Sequence, residues 1–422
     1  MKKRIWMINH YATNMYYDAA GRHQSLAKHL VKKGYEVVIF CANTIHNSND
    51  SVDLGDALFI EKEGPDDVKY VFVKTSPYKG NGLSRIMNMV EFWINVKKVA
   101  KKIAKKSGKP NILLSSSVHP LALVAGIQLS KCFKIPCISE VRDLWPETFV
   151  EFGMLKRTSI IAKILYCGEH WIYKKSNRLI FTMPGGKNYI IDKAWQKDIN
   201  IDKVHYLNNG IDLEDFDYNK ENYIVEDEDL NNDKLFKVVY TGSIRTANQV
   251  HVFAEMAKLY KSKGINDVIF IIYGDGDQRE KIQEYCQNEC LDNIVFKGRV
   301  QKKYIPYIVS SGDLNIVTDQ KNNLGKYGVS WNKLFEYMAS GKPTLANYDM
   351  GNYNLIEEYN FGIAREFDSI EDFAEAVLQL KEASKEEYEN FSANARKAAR
   401  EFNYMNLADK LEEIILLALN AK

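Results

Sequence analysis

Short apolar runs alternate with longer amphipathic stretches along most of the chain. The runs are rich in β-branched and aromatic residues, and stretches such as 21–33 and 120–133 place apolar residues at helical spacing. The predicted strands are 4–9, 36–41, 70–74, 111–115, 137–141, 178–182, 203–207, 237–241, 268–273, 294–297, 313–317, 344–348 and 362–365. Because apolar strands that alternate with helices form parallel sheets covered on both faces, the pattern predicts an α/β protein.

The alternation runs in two series, and 422 residues are too many for one ordinary core. We therefore predict two doubly wound domains, 1–212 and 213–400. Segment 215–234 is rich in Asp, Glu and Asn, and we interpret it as the interdomain connection or a surface loop beside it. Ligands bind at the carboxyl ends of the strands in such domains, so the strand-to-helix turns are where chemistry is expected.

Bulk composition excludes several classes of protein. A net charge of +2 argues against a nucleic-acid binder, and no apolar run reaches the ~18 residues that span a bilayer. The N-terminal residues are typical of a first strand, not of a signal peptide. Six scattered cysteines favour reduced thiols in a cytoplasm. Cys286 and Cys290 share a helical face without a His or Cys pair beside them, so no metal is expected.

Segment 329–343 is predicted to be a loop that leads directly into a helix. The start of a helix offers unpaired N–H groups and the positive end of its dipole, which suit a diphosphate. Lys333 in the first turn adds a cation, and Glu336 one turn later can accept hydrogen bonds from ribose hydroxyls. The alternative is a structural helix that packs Leu334, Phe335 and Met338 into a core.

Glycine-containing turns follow other strands of the second series. They hold Gly242 with the nearby Arg245, the run 274–276, and Gly298. Arg245 is placed to meet a phosphate, and the turn at Gly298 can offer backbone groups to a base. Each turn alone is weak evidence for a binding site, but together with the helix start at 332 the turns favour binding of a nucleotide diphosphate at one edge of the second sheet.

In the first series, Gly21 opens a helix and lets the backbone approach a phosphate or sugar, although the Gly-x-Gly-x-x-Gly spacing is missing. His119 precedes a helix and can donate to a substrate hydroxyl or phosphate, and His10 follows the first strand. The alternative for each is a structural role, as a helix start, a cap or a core histidine.

Segment 140–147 places three carboxylates and an arginine after an apolar strand. Burying a charged side chain at a strand end costs free energy unless the charge is paired or faces a cleft. We predict Arg142 and Asp143, with His119, as catalytic residues, and Glu147, with His10, on the acceptor side. An internal Arg142–Asp143 or Arg142–Glu147 pair is the alternative.

Segment 84–109 is predicted to be a basic amphipathic helix, with apolar residues on one face and lysines on the other. It is either an ordinary helix packed on the sheet or a peripheral contact with an anionic membrane surface.

The order of these motifs resembles the family 4 glycosyltransferases of the GT-B fold, and within them the bacterial O-antigen and capsule N-acetylfucosamine transferases. The resemblance covers nearly the whole chain. It rests on the helix start at Gly21, Val141-Arg142-Asp143-Leu144-Trp145-Pro146-Glu147, Asn208-Asn209-Gly210-Ile211-Asp212, Tyr240-Thr241-Gly242, Gly274-Asp275-Gly276 and Asn332-Lys333-Leu334-Phe335-Glu336-Tyr337-Met338-Ala339-Ser340-Gly341-Lys342-Pro343.

The resemblance implies two Rossmann-like domains facing a central cleft, with a C-terminal helix, 401–422, packing back on the N-terminal domain. It implies a retaining, metal-independent transfer of a hexosyl or N-acetylhexosaminyl group from a nucleotide sugar, UDP-linked, to a lipid-linked or polysaccharide-precursor acceptor. The protein would then be cytoplasmic, at the inner membrane face. The implied donor-binding residues are Gly21, Gly242, Arg245, Gly298, Lys333, Leu334 and Glu336.

Two departures from the family pattern concern the donor sugar and diphosphate. Gly328 stands eight positions before Glu336, where many members carry a second Glu. Ser243 and Asn248 stand about where a phosphate-binding Arg and Lys are common, so Arg245 and Lys333 would substitute. A UDP-sugar 2-epimerase of similar fold and a non-catalytic nucleotide-sugar binder are the alternative functions.

Overall fold

The computed structural model describes residues 2–45, 50–80, 82–117 and 119–420. It divides into two compact units. The N-terminal unit comprises Met1–Asn208 and Tyr404–Lys422, and the C-terminal unit comprises Asn209–Asn403.

The N-terminal unit is built on an eight-stranded sheet of order β3-β4-β2-β1-β5-β6-β7-β8. All neighbouring strands are parallel except the antiparallel pair β3–β4. The strands are β1 Arg4–Ile8, β2 Glu36–Ala42, β3 Phe59–Glu63, β4 Lys69–Val73, β5 Ile112–Ser116, β6 Cys137–Val141, β7 Arg178–Phe181 and β8 Val204–Tyr206. The chain order reverses between β1 and β5, so the loops after these two strands flank a topological switch point.

Helices cover this sheet: α1 Thr13–Asp18, α2 Arg22–Lys32, α3 Leu83–Ser107, α4 Pro120–Phe133, α5 Glu147–Glu151, α6 Ile160–Lys175 and α7 Gly186–Asp192, with the C-terminal helix Tyr404–Asn420. The C-terminal helix buries Leu407, Leu411 and Ile415 in the same core as Leu26 and Leu30 of α2. Ion pairs from Lys33 to Asp409 (2.6 Å) and Glu412 (2.8 Å) border this contact.

The C-terminal unit is a six-stranded, wholly parallel sheet of order β11-β10-β9-β12-β13-β14. Its strands are β9 Phe236–Thr241, β10 Val268–Tyr273, β11 Ile294–Gly298, β12 Leu314–Thr318, β13 Thr344–Asn347 and β14 Gly362–Arg365. Its helices are α8 Leu213–Asn222, α9 His251–Ser262, α10 Arg279–Asn288, α11 Ile305–Ser311, α12 Asn332–Ser340, α13 Leu355–Glu358, α14 Ile370–Lys381 and α15 Lys385–Glu401. The order is that of a dinucleotide-type sheet, with its switch point between β9 and β12.

The structure differs from the sequence-based predictions in one interpretation and one missing strand. Segment 215–234 is not the connection between the units, because its first part lies in α8 and the units separate between Asn208 and Asn209. Asp212 caps this helix through a bond from the amide of Asp215, which explains the acidic composition. Strand β3 was not predicted, since its charged residues are exposed and leave too weak an apolar signal.

Candidate functional site

Glycine turns at the carboxyl ends of β9, β10 and β11 form one continuous surface of backbone. The amide of Gly242 donates to the carbonyl of Tyr273 (2.9 Å), and the amide of Gly274 donates to the carbonyl of Gly298 (2.9 Å). A Cβ on Gly274 would lie 1.8 Å from the Gly242 carbonyl oxygen, so only glycine allows this approach. A ligand at this edge would therefore face backbone rather than bulky side chains.

Lys333 lies directly over this surface, at the start of α12. Its Nζ donates to the Tyr240 hydroxyl (2.9 Å), stands 4.1 Å from the centre of that ring, and lies 2.8 Å from where a Cβ on Gly242 would be. Burial lowers the pKa of Lys333 to about 8, although the nearby carboxylates of Asp319 and Glu336 oppose this shift. Lys333, which follows β12, thus contacts residues at the end of β9, so a cation lies at the switch point of this sheet.

Two carboxyl groups accompany this lysine. Burial raises the pKa of Asp319 to about 6, against the opposing effects of the amide of Gln320 and the charge of Lys333. Burial also raises the pKa of Glu336, against Lys302 and Lys333. Among the described residues no side chain pairs with the Glu336 carboxylate, which leaves it able to accept hydrogen bonds from the hydroxyl groups of a ligand.

The amides at the start of α12 have no side-chain cap, since the residue before the helix is Trp331. Leu334 donates its own amide to the Trp331 carbonyl (3.1 Å), and its side chain is fully buried in the core with Phe335. The side chain of Leu334 is thus buried, and its predicted contact with the donor stays a prediction.

Arg245 borders a cavity whose lining does not include Lys333. Arg245 is exposed, and the cavity, of about 360 Å³, lies between α9 and α10 and is also lined by His251, Gln278 and Lys281. In the loop between Gly242 and Arg245, the carbonyl of Ile244 accepts a hydrogen bond from the amide of Gln278 (3.1 Å). The predicted phosphate contact of Arg245 stays a prediction. The cation that α12 brings to the glycine turns is Lys333.

Arg279 is a second basic group at this edge, which sequence reasoning missed. Its Nη1 lies 3.4 Å from where a Cβ on Gly298 would be, and 3.8 Å from an oxygen of Asp275. Its Nε is buried without a hydrogen-bond partner among the described residues. The signal that could have identified it in the sequence is its position as the first residue of α10, just after the 274–276 turn.

In the N-terminal unit, the switch point brings two predicted histidines together. His10 Nδ1 and His119 Nε2 are 2.6 Å apart, although they are far apart in sequence. The His10 ring stacks on Phe92 with a centroid distance of 4.3 Å. Burial, helped by the charge of Arg85, lowers the pKa of His119 to about 3. His119 is therefore neutral at physiological pH, and one ring must donate the shared proton to the other.

Gly21 starts α2 with a φ of +112°, a value that favours glycine, and belongs to the N-terminal unit, whereas the other predicted donor residues belong to the C-terminal unit. The helix that it opens carries Arg22 and His23 into a buried network around Glu140. Arg22 Nε and His23 Nε2 lie 2.8 Å and 2.9 Å from the carboxylate, and Ser116 Oγ donates to it at 2.7 Å. Against the effect of burial, Arg22 and His23 hold the pKa of Glu140 well below its usual range.

The remaining charged residues of segment 140–147 have different surroundings. The amide of Arg142 donates to Ser117 Oγ (3.0 Å), and Asp143 is exposed on the loop after β6. Glu147 is almost buried and is held by Arg157 (2.5 Å), Lys193 and Tyr166.

Burial raises the pKa of Glu147, but the ion pairs outweigh it and bring the pKa to about 2. The geometry favours a structural role for Glu147, with partners other than the Arg142 that the sequence suggested. Its acceptor-side role stays a prediction.

Comparisons with known proteins define the class of this fold. Residues 224–398 match the family described as "Glycosyl transferases group 1". Among curated proteins, an uncharacterized glycosyltransferase of Methanocaldococcus jannaschii is 23% identical over 216 residues, which is 50% of this chain and 51% of the relative. The α-D-kanosaminyltransferase of Streptomyces kanamyceticus is 27% identical over 144 residues, which is 34% of this chain and 36% of the relative. The matches thus span about half or less of these relatives' lengths.

Solved structures match over the whole chain. Sucrose-phosphate synthase of Thermosynechococcus elongatus superposes with a TM-score of 0.74 at 17% identity, covering 100% of both chains. HepE of Anabaena, in complex with UDP and glucose, gives a TM-score of 0.67 at 14% identity and covers 98% of this chain and 100% of its own. The predicted fold, GT-B with two Rossmann-like α/β domains, is confirmed.

No described helix is both long and apolar enough to cross a bilayer. Nor do the described ranges contain a group of three or more His, Cys, Asp or Glu side chains arranged to hold a metal ion.

Proposed function

We propose that this protein is a glycosyltransferase whose C-terminal unit binds a UDP-sugar and whose N-terminal unit binds the acceptor. The observation that carries the proposal is Lys333 Nζ lying against Gly242 at the switch point of the C-terminal sheet, with Glu336 one helical turn away. The matched family of residues 224–398 and the UDP bound by the structurally similar HepE support the choice of reaction and nucleotide.

The donor site is suited to stabilise a leaving diphosphate. In the transfer, the bond between the sugar C1 and the UDP oxygen breaks, and UDP keeps the bonding electrons. The acceptor hydroxyl bonds to C1 and loses its proton. Lys333, Arg279 and the uncapped amides of α12 face the negative charge that develops on UDP, which is electrostatic stabilisation without a metal. Glu336 would hold the ribose.

We assign the acceptor to the loops after β1, β5 and β6. His10 and the neutral His119 lie there 2.6 Å apart, and Arg142 and Asp143 follow the neighbouring strand β6. We extend the proposal to a retaining reaction and to a lipid-linked or polysaccharide-precursor acceptor of O-antigen or capsule synthesis, at the cytoplasmic membrane face. The motif resemblance to N-acetylfucosamine transferases supports this extension.

One observation favours an alternative. Gly328 has a φ of +81°, a backbone conformation that L-residues rarely adopt, so this position is built for glycine and not for the Glu that is common in the family. A missing sugar contact suits a non-catalytic binder of nucleotide sugars. A 2-epimerase would need the same nucleotide site but no acceptor.

The test uses the Glu336→Gln variant with the wild-type protein in two assays. A thermal-shift series with UDP should show stabilisation of the wild type that rises with UDP concentration and is reduced in Glu336→Gln. A screen of UDP-sugars with glycan and lipid-phosphate acceptors should give a glycosylated product. No shift with any nucleoside diphosphate would refute the donor site. UDP binding with sugar converted in the absence of acceptor would establish the epimerase, and binding with no product would establish the binder.

A further inference from the structure

The N-terminal unit contains an apolar cavity that the proposed transfer leaves unused. Its volume is about 260 Å³, and it lies between α4, α6 and the loop after β6. Most of its wall is hydrocarbon and aromatic, from Leu121, Val124, Trp145, Ile164, Leu165 and Trp171. A sugar needs several hydrogen-bond partners to bind in a buried site, and this wall offers few. The cavity is suited to an apolar group.

The cavity opens onto a strip of exposed apolar side chains. Ile164 lines the cavity and is also 64% exposed, while Ile160 and Ile161 in the first turn of α6 are 76% and 63% exposed. Met154, in the preceding loop, is 74% exposed. Ile160 and Ile164 are neighbours one turn apart on the helix surface. Single exposed apolar residues are ordinary, but a cluster beside a cavity marks a binding surface.

Charge borders the same strip. Lys156 and Lys163 are exposed on either side of Ile160 and Ile161 in sequence. Cations next to exposed apolar side chains suit the anionic surface of a membrane, from which a lipid chain can enter.

The inner end of the cavity reaches the loops assigned to the acceptor. Ser117 after β5 and Asp143 after β6 contribute to its lining. Ser117 bonds the amide of Arg142 (3.0 Å), which lies in the same loop as Asp143. A molecule with its chain in the cavity would thus place its polar end at the carboxyl edge of this sheet.

We propose that this cavity binds the hydrocarbon chain of the acceptor, a phosphate-bearing lipid, with the exposed strip on α6 as its entrance. This inference rests on the proposed function, and it names the acceptor class: the sugar is added to an amphiphile whose chain is held by α4 and α6.

Glu169 fits this assignment although it is a carboxyl group in the cavity wall. Burial raises its pKa to about 8, against the opposing hydrogen bonds from Tyr173 (2.7 Å) and Tyr189 (2.9 Å). It is therefore largely uncharged at neutral pH, so Glu169 adds no full charge to the cavity wall that a hydrocarbon chain would have to desolvate.

Gly168 allows the cavity to be filled without disturbing the fold. It lines the cavity in the middle of α6, and a Cβ added to it has no atom within 4 Å. Leucine and alanine both favour a helix over glycine, so Gly168→Leu narrows the cavity while Gly168→Ala controls for the helix. Cys167→Leu adds similar bulk at the neighbouring exposed position, which is not part of the cavity wall.

The first experiment measures binding of dodecyl phosphate that carries a bromine at the end of its chain. Bromine quenches tryptophan fluorescence on contact, and Trp145 and Trp171 line the cavity. We expect saturable quenching in the wild type that Trp145→Phe and Trp171→Phe reduce. Gly168→Leu should weaken binding about tenfold or more, since it displaces at least two methylene groups. Gly168→Ala and Cys167→Leu should bind within about twofold of the wild type. Equal binding by the wild type, Gly168→Leu, Gly168→Ala and Cys167→Leu would overturn the proposal.

The second experiment compares transfer to a long-chain lipid-phosphate acceptor with transfer to the same head group on a butyl chain. Gly168→Leu should raise KM for the long-chain acceptor alone. An equal KM change for both acceptors would refute chain binding while leaving the glycosyltransferase intact. Saturable quenching without transfer to any acceptor would instead refute the proposed function and keep the cavity as a lipid site.

Discussion

Replacement of Lys333 by methionine should weaken UDP binding and abolish its pH dependence. Methionine keeps the stem that packs against Tyr240 and Gly242 but removes the charge. A hydrogen bond to a charged group contributes about 1.5–3 kcal/mol, so we expect UDP to bind roughly 10- to 150-fold more weakly.

The pH dependence follows from the pKa of about 8 that burial gives Lys333 in the unliganded protein. A bound diphosphate favours the protonated amine and raises this pKa, so binding takes up a proton above pH 8. UDP therefore binds with its full affinity below pH 8, and this affinity is lost as the pH rises through this value. Between pH 7 and pH 9 the charged fraction falls from about 0.9 to about 0.1, and the dissociation constant should rise roughly tenfold.

Titration calorimetry with UDP at pH 7, 8 and 9, in buffers of different ionisation enthalpy, measures both the affinity and the proton uptake. Lys258→Met is the matched control, because Lys258 is exposed on α9 and pairs with Glu289 (2.9 Å). The control should behave as the wild type. The reasoning fails if Lys333→Met retains the pH dependence, or if the wild type binds UDP equally at pH 7 and pH 9.

Three further predictions concern other parts of the molecule. Gly274→Ala should lower the melting temperature and abolish UDP stabilisation, since the added Cβ meets the Gly242 carbonyl at 1.8 Å; a variant that binds UDP normally would contradict the backbone surface. Glu140→Gln should cost about 3–5 kcal/mol in urea unfolding, because it leaves Arg22 buried without its counter-charge, and a loss under 1 kcal/mol would contradict this. Charge reversal on α3 should abolish sedimentation with anionic liposomes and leave UDP binding unchanged, whereas unaltered sedimentation would refute the predicted membrane contact; the residues to change to Glu are the exposed Lys98, Lys101 and Lys102.

The strands were the most predictable part of the fold, since buried parallel strands are continuous apolar runs. Val268–Tyr273 is buried at every position and was predicted with both ends correct. Strand Phe59–Glu63 lies at a sheet edge with its last three residues exposed, so nothing in its sequence distinguished it from a loop. The acidic segment beginning at 215 was misread because helix-capping carboxylates and loop carboxylates look the same in composition.

The sites were predictable as positions but not as contacts. Lys333 and Glu336 could be found because a helix start is visible in sequence. The bond between His10 and His119 depends on β1 and β5 being neighbours, which only the topology reveals. The partners of Glu147 come from later parts of the chain, Arg157 and Lys193, and composition does not indicate which of many basic residues will reach it.

The C-terminal helix Tyr404–Asn420 has a consequence for synthesis on the ribosome. It completes a core that begins with α2, yet the whole C-terminal unit is translated between the two. At ~5–20 residues per second, synthesis of the roughly 370 residues between α2 and this helix takes on the order of 20–75 s, during which the apolar face of α2 around Leu26 and Leu30 lacks its final cover. The nascent N-terminal unit should therefore recruit chaperones until Leu407, Leu411 and Ile415 emerge.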